Sequence, residues 1–210
     1  MTERLILVGG GAFARELINW TQDAMDAAGK PGVAGFLDVS PNAMDVFSYG
    51  VPWLGDIDDY MPQEGDRFVM AIGDPIGKRT VARRLRAKGA LFATIVHPTA
   101  IVARSAKLGE GVVVCPLSIV SADAHIGDLV AINSHCGIGH DVRIGDFSTL
   151  SGFIDLTGWV QVGEAVFFGS GARVLPKTKV GDEARIGAGA IIMRAVAAGV
   201  TMYAAPAKRL

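Results

Sequence analysis

Cysteine, histidine and aromatic side chains are scarce in this chain of 210 residues, and each shortage excludes a class of protein. Two cysteines, Cys115 and Cys136, cannot build a disulfide framework and have no metal-type spacing. Both read as structural thiols in a reducing compartment. Aromatics make up only 7% while glycines number 27, which points to many tight turns around a narrow, aliphatic interior. Charge of one sign is lacking too. The net charge is −1 with no basic run, so no nucleic-acid footprint is present. No apolar run approaches the ~20 residues that span a bilayer. Met1–Val8 leads straight into an apolar strand pattern without signal-peptide architecture. The expectation is a soluble, cytoplasmic protein, long enough for one large domain or two small ones.

What is present divides into two halves with different periods. From Arg4 to about Ile95, short apolar runs alternate with helix-like stretches. Leu5–Val8 reads as a buried strand, followed by three glycines and an amphipathic stretch from about Ala12 to Ala28. Apolar runs follow at Val33–Leu37 and Phe68–Ile72, then a basic helical stretch from about Gly77 to Lys88. Strands alternating with helices predict a small parallel α/β sheet over residues 1–94.

Beyond residue 95 an apolar residue recurs at every sixth position, from Val96, Val102 and Leu108 through Ile138 and Ile144 to Ile192. Seventeen consecutive positions obey the rule. Four residues after them stand small side chains such as Ala100, Ser118, Cys136 and Ala172, and glycine often follows directly, as at Gly109 and Gly145. A period of six fits neither helix nor simple sheet. It fits a coil of three short flat strands per turn, aliphatics pointing inward. The glycines are expected near corners, where a side chain would crowd the turn. The general rule for crossovers favours the right hand. The left hand expected here is implied by the hexapeptide-repeat class that the pattern resembles. The fold class is thus an α/β Rossmann-like N-terminal domain followed by an all-β left-handed parallel β-helix over residues 95–210, with Met193–Leu210 capping its open end.

Three six-residue sides bring residues about eighteen apart into one column. His140 follows the inward Ile138 by two positions, which puts it at a corner facing outward, stacked between Ala122 and Gly158 with Pro176 a coil further. Small neighbours leave open space beside the imidazole. A histidine so placed, next to Asp141, is a candidate general base, because imidazole ordinarily titrates near neutrality. A plain surface histidine on a turn is the alternative. His97, before Pro98, is expected to be structural, and His125 to point to solvent. His135 lies five residues from His140 and raises a zinc question. A third ligand in that column would fall at Thr99, with His97 out of phase, so no metal is expected.

The loop Gly9-Gly10-Gly11-Ala12-Phe13-Ala14 matches G-x-G-x-x-A between a strand and a helix. Backbone N–H groups at such a helix start cradle phosphate. Asp38 and Gly73 also fall just past strand ends, at the carboxyl edge where ligands of open α/β sheets sit. Asp38 stands where a ribose hydroxyl could be held. About 95 residues make one mononucleotide half, which suits a nucleotide-linked sugar better than a dinucleotide. A purely structural glycine turn is the other reading.

Together the halves resemble the NeuD/PglD-like family of sugar O- and N-acetyltransferases. The stretches that carry the likeness are Leu5–Glu16, Gly35–Asp38, Ala71–Asp74, Ile132–Phe147 and the ending Ala205-Pro206-Ala207-Lys208. The resemblance implies acetyl-CoA as co-substrate and a nucleotide-linked 4-amino sugar as acceptor, in surface glycan biosynthesis, with homotrimers whose active sites lie between subunits. It makes His140 the general base and Asp141 its acidic partner, where the family often has glutamate. It assigns Asn133, Thr149, Gly158, Ser170 and Ala188 to the acetyl-CoA groove, Thr149 standing where the family commonly has a second histidine. Gly11, Ala12, Phe13, Asp38 and Gly73 would meet the nucleotide sugar, with Val39 where a second acidic residue is common. O-acetylation of a sialic-acid-type sugar is the close rival. A γ-carbonic-anhydrase-type metal lyase and a non-catalytic nucleotide-binding trimer are the alternatives from other classes.

Overall fold

A computed structural model describes residues 3–207; Lys208, the last residue of the family-like ending, lies outside the described residues. The chain begins with β1 (Arg4–Val8), α1 (Ala12–Ala28), β2 (Val33–Leu37), β3 (Trp53–Gly55), β4 (Asp66–Met70) and α2 (Pro75–Ala87). The four strands form one parallel sheet in the order β3-β2-β1-β4. β1 is central, and its Ile6, Leu7 and Val8 are fully buried, as an apolar run without alternation requires. Leu5 and Leu7 face the α1 layer, while Ile6 and Val8 face the α2 layer. Two helices serve four strands, and the segment before the short edge strand β3, which the apolar pattern did not announce, is irregular. α2 starts two residues earlier than its basic stretch suggests. Asp74 caps it by accepting from Gly77 N–H at 2.9 Å, and Pro75 takes the first helical position.

From Ile95 the chain winds into a left-handed coil of two-residue strands arranged as three parallel sheets of five, seven and six strands. Strands pair in the register that the six-residue period requires: Ile126 opposite Ile144, Ile132 opposite Leu150, Ile138 opposite Leu156. Fourteen of the seventeen repeat positions are buried, and Val96, Val102 and Leu108, in the first coil, pack against the same core half-buried. After Ile192 the spacing changes but pairing goes on. Val196 bridges Val180, and Thr201–Met202 adds a last strand beside Arg185–Ile186.

The repeat glycines correct one expectation. The left-handed corner residues are mostly not glycine; Leu117, His135, Asp141 and Trp159 hold φ near +60° there. Where a glycine follows an inward aliphatic, it is demanded by the next coil instead. A Cβ on Gly145 would stand 2.5 Å from the carbonyl carbon of Gly163, and one on Gly109 2.7 Å from that of Gly127.

The N-terminal sheet is not tethered by a free linker. Ile95, Val113 and Cys115 of the coil complete the α1 layer, and Leu129, Phe147 and Ala165 complete the α2 layer. Burial pushes the Cys136 thiol up to about 11 and Cys115 further still, so both are inert packing groups. Among the described residues, no helix is long and apolar enough to cross a membrane.

Candidate active site

His140 sits on the corner between the six-stranded and five-stranded sheets, after the strand Gly137–Ile138 and before Arg143–Ile144. The column read from the period is present in the backbone. Asp141 N–H donates to the Ala122 carbonyl at 3.1 Å, Trp159 N–H to that of His140 at 3.0 Å, and Lys177 N–H to that of Gly158 at 3.1 Å. The imidazole is half exposed, and its Nδ1 lies 2.9 Å from Asp141 Oδ2. A carboxylate only accepts, so Nδ1 carries the proton and Nε2 presents its lone pair. The left-handed backbone of Asp141, φ 59°, turns its carboxylate back onto the neighbouring ring.

Two neighbours fix where Nε2 points. The ring meets Trp159 edge to face, centroids 4.3 Å apart at 87°. It lies over Gly158, where a Cβ would come within 2.6 Å of Nε2. Gly158 is therefore the floor beneath Nε2. Trp159, one residue after a stacked position, escaped the sequence reading; its signal is the same column shifted by one. Lys177 adds a cation 5.4 Å above the Trp159 ring.

The other histidines are occupied otherwise. His97 is buried, its Nδ1 2.8 Å from Thr99 Oγ1 and its Nε2 3.1 Å from Asp23 Oδ2, which ties the coil to α1. His125 Nδ1 donates to the Asp123 carbonyl at 3.0 Å, and His135 stacks on Phe153 at 4.6 Å. Among the described residues, no group of three or more histidine, cysteine or acidic side chains is placed to hold a metal.

A second centre lies where the N-terminal sheet meets the coil. A cavity of about 180 Å³ is bounded by Ala12, Phe13, Glu16 and Gly73 on one side and by Asn133, Thr149, Ser151 and Phe167 on the other. It thus gathers three residues read as nucleotide-sugar contacts and two read as cofactor contacts. A larger cavity, about 470 Å³, opens near Glu3, Lys30 and Arg67 and includes none of the candidate residues; the smaller one, at the carboxyl edge, is where ligands of parallel sheets sit. Gly11 and Gly73 face open space, with no atom within 4 Å of a Cβ, whereas one on Gly10 would meet Ala43 at 2.6 Å. Asp38 accepts from Gly10 N–H at 2.7 Å through one oxygen and from Ser40 N–H at 2.9 Å through the other. Its carboxylate therefore shapes the glycine loop first, with the remaining lone pairs left for a ligand.

The cofactor candidates fall at two places on the coil. Asn133, Ser170 and Ala188 share the corner between the seven-stranded and six-stranded sheets, where Asn133 and Thr149 line the cavity, and Gly158 lies under His140 at the corner between the six-stranded and five-stranded sheets. Asn133 Oδ1 accepts from Ser134 N–H at 2.7 Å, so its NH₂ group is available to a ligand. His140 does not line the cavity within one chain. The sequence reading missed Lys78 altogether. It is fully buried and donates to Thr149 Oγ1 at 2.7 Å. Its helical spacing to the buried Ala82 and Leu85 was the available signal.

No protein-family model matches the chain. The perosamine N-acetyltransferase of Caulobacter crescentus, solved with CoA and GDP-perosamine, is 33% identical with a TM-score of 0.87, covering 99% of this chain and 97% of that one. The acetyltransferase domain of PglB from Neisseria gonorrhoeae, solved with acetyl coenzyme A, is 27% identical, with full coverage of both chains and a TM-score of 0.85. The UDP-N-acetylbacillosamine N-acetyltransferase of Bacillus subtilis is 33% identical over 113 residues, 50% of this chain and about half (47%) of that protein's length. With a relative one-third identical over nearly all of both chains, and with the coil and α/β sheet built alike, the protein belongs to the sugar N-acetyltransferase family.

Proposed function

We propose that the protein transfers the acetyl group of acetyl-CoA to the amino group of a nucleotide-linked 4-amino sugar, in surface glycan biosynthesis. The observation that carries this reading is the His140–Asp141 pair, with Nε2 free over Gly158, in a chain of this family. Two of the Caulobacter crescentus structures carry a substituted histidine, which accords with a histidine at the centre of the chemistry. The domain division follows: a Rossmann-like nucleotide-sugar domain over 1–94 and an acyltransferase coil over 95–210.

Acetyl-CoA supplies an activated acyl carbon. His140 Nε2 takes a proton from the sugar amine as nitrogen bonds to that carbon, and returns it to the departing sulfur as the carbon–sulfur bond breaks. Asp141 holds the Nδ1 proton and favours the imidazolium formed in between. The Asn133 NH₂ group or backbone N–H groups stabilise the developing oxyanion. Holding both substrates together makes direct attack sufficient, with no acyl-enzyme.

Gly11, Ala12, Phe13, Asp38 and Gly73 receive the nucleotide sugar. Asn133, Thr149, Gly158, Ser170 and Ala188 receive acetyl-CoA. Because the cavity lined by Asn133 and Thr149 and the corner that carries His140 and Gly158 lie on separate faces of one chain, the reading calls for a homotrimer in which one protomer's corner meets its partner's cavity. Under this reading the protein acts in the cytoplasm, which its two buried free thiols support.

Incubation with acetyl-CoA and a panel of nucleotide-linked amino sugars, following free thiol, tests the proposal. Thiol release with at least one amino sugar is expected. Turnover confined to sugars that offer only hydroxyls would replace it with O-acetylation.

A further inference from the structure

Lys78 is the only buried lysine or arginine among the described residues, at 1% exposed, and the chemistry above does not use it. Its three ammonium protons meet three acceptors: the Leu129 carbonyl at 3.1 Å, the Ser148 carbonyl at 3.2 Å and Thr149 Oγ1 at 2.7 Å. Leu129 and Ser148 belong to successive coils, so one helix residue ties α2 to both. A tie alone gives no reason for a charge. An ammonium is costly to bury, and neutral apolar side chains of similar volume commonly serve as well.

The third contact supplies the reason. Thr149 Oγ1 accepts from Lys78, so its own hydroxyl proton must point elsewhere. Among the described residues, no side-chain or backbone group takes that proton, and Thr149 lines the 180 Å³ cavity closed by Ala12, Phe13 and Gly73. We infer that Lys78 is a positioning residue that, through Thr149, presents a hydroxyl proton to an acceptor oxygen of a substrate in that cavity. The oxygen is the thioester carbonyl of the acyl donor or an oxygen of the nucleotide-linked sugar. The inference rests on the acyl-transfer reading above.

The same geometry makes the donor pH-dependent. Burial pulls the ammonium from 10.5 down to about 7, with the Asp74 carboxylate at the head of α2 opposing. The coil groups that face Nζ are two carbonyls and a hydroxyl, none of them charged. Other charges at this junction are paired, Asp74 with Arg185 at 3.4 Å and Arg79 with Glu183 at 2.7 Å, while Glu16 of α1 borders the cavity. A neutral amine can accept from Thr149. The hydroxyl proton then turns from the cavity toward Nζ as pH rises through about 7.

Steady-state kinetics of the full-length protein, with acetyl-CoA and the amino sugar varied separately between pH 6 and 9, test this. Thr149→Val is expected to raise KM for one substrate or lower kcat by roughly threefold to tenfold, with Thr149→Ser close to wild type. The substrate whose KM moves identifies the oxygen. Lys78→Met should reproduce the loss and remove the decline above pH 7. The double variant should lose no more than Thr149→Val alone, because both changes remove one contact. Losses that multiply, or a Thr149→Val enzyme equal to wild type at every pH, would overturn the inference. The Thr149 pair leaves α2 intact, so the test stands even where Lys78→Met fails to fold. If acetyl transfer proceeds and Thr149→Val is silent, only this inference falls; if no amino sugar is acetylated, the acyl-transfer reading falls and takes it along.

Discussion

In the coil, every side chain meets residues of the preceding and following coils in one repeating register: Ile132 faces Leu150, Arg143 faces His125. In the N-terminal sheet, Leu5 lies opposite Val33 while its neighbour Arg4 lies opposite Asp66. The coil thus repeats one local rule, and its candidate functional corner is that rule with larger side chains at one level. The sheet depends on pairings that no short period encodes, and its candidate functional edge exists only once the chain has closed. This difference separates the two candidate centres. His140 stands on a column of stacked backbone, half exposed and available to a neighbour. Thr149 and Lys78 lie in a buried seam between the two architectures.

Substitutions can break or sharpen that contrast. The largest effect is expected at the exposed corner. If His140 is the general base, His140→Ala should lower turnover roughly 10²–10⁴-fold, and with the imidazole half exposed the melting temperature should change little. A core change should show the reverse pattern. Ile132→Ala, inside the coil and fully buried, should cost about 2–5 kcal/mol in denaturant unfolding, and the loss should be felt along the whole stack. Preserved kcat per folded molecule in that variant would show that corner geometry is held by backbone stacking.

The seam is probed by pH. Unfolded, Lys78 holds its proton up to the ordinary 10.5; folded, it releases it near 7. Between those values the unfolded chain binds more protons, so this residue makes stability rise with pH, by up to about 1.4 kcal/mol per unit. Below about 7 both states are charged and the burial cost is felt in full. Comparing unfolding midpoints at pH 7 and 9 should show the wild type gaining relative to Lys78→Met; equal gains would remove Lys78 as the source. The smallest structural effect belongs to Gly11→Ala. Its added methyl meets nothing within 4 Å and its φ of −76° suits any residue, so stability should hold while KM for the nucleotide sugar rises. An unchanged KM would take the loop out of substrate binding.

Much of this protein was legible before folding. The inward series, the strand register, the Ala122–His140–Gly158 column and the limits of α1 all follow from spacing. The role of Asp38 as the anchor of the Gly10 N–H was less so, because a carboxylate after a strand looks the same whether it serves loop or ligand. Trp159 was hidden for a related reason: the period gives the column a residue belongs to but not which neighbour's ring leans across it. Glycine spacing was read correctly and its cause was not, since the clash is with a coil that the local sequence does not contain.

The amino-acid sequence by itself determined a coil with its own arithmetic, an apolar strand ending in a glycine loop, and the adjacency of His140 to Asp141. Tertiary structure alone decided that α2 would lay Lys78 across two coils, and that Ala12, Phe13 and Gly73 would face Asn133 and Thr149 across one cavity. The physical reason is range. Six-residue stacking is local and repeats, so spacing encodes it. The docking of sheet on coil rests on apolar surfaces such as Leu129, Phe147 and Ala165, corner residues of the coil that pack with α2 and lie far from it in the chain.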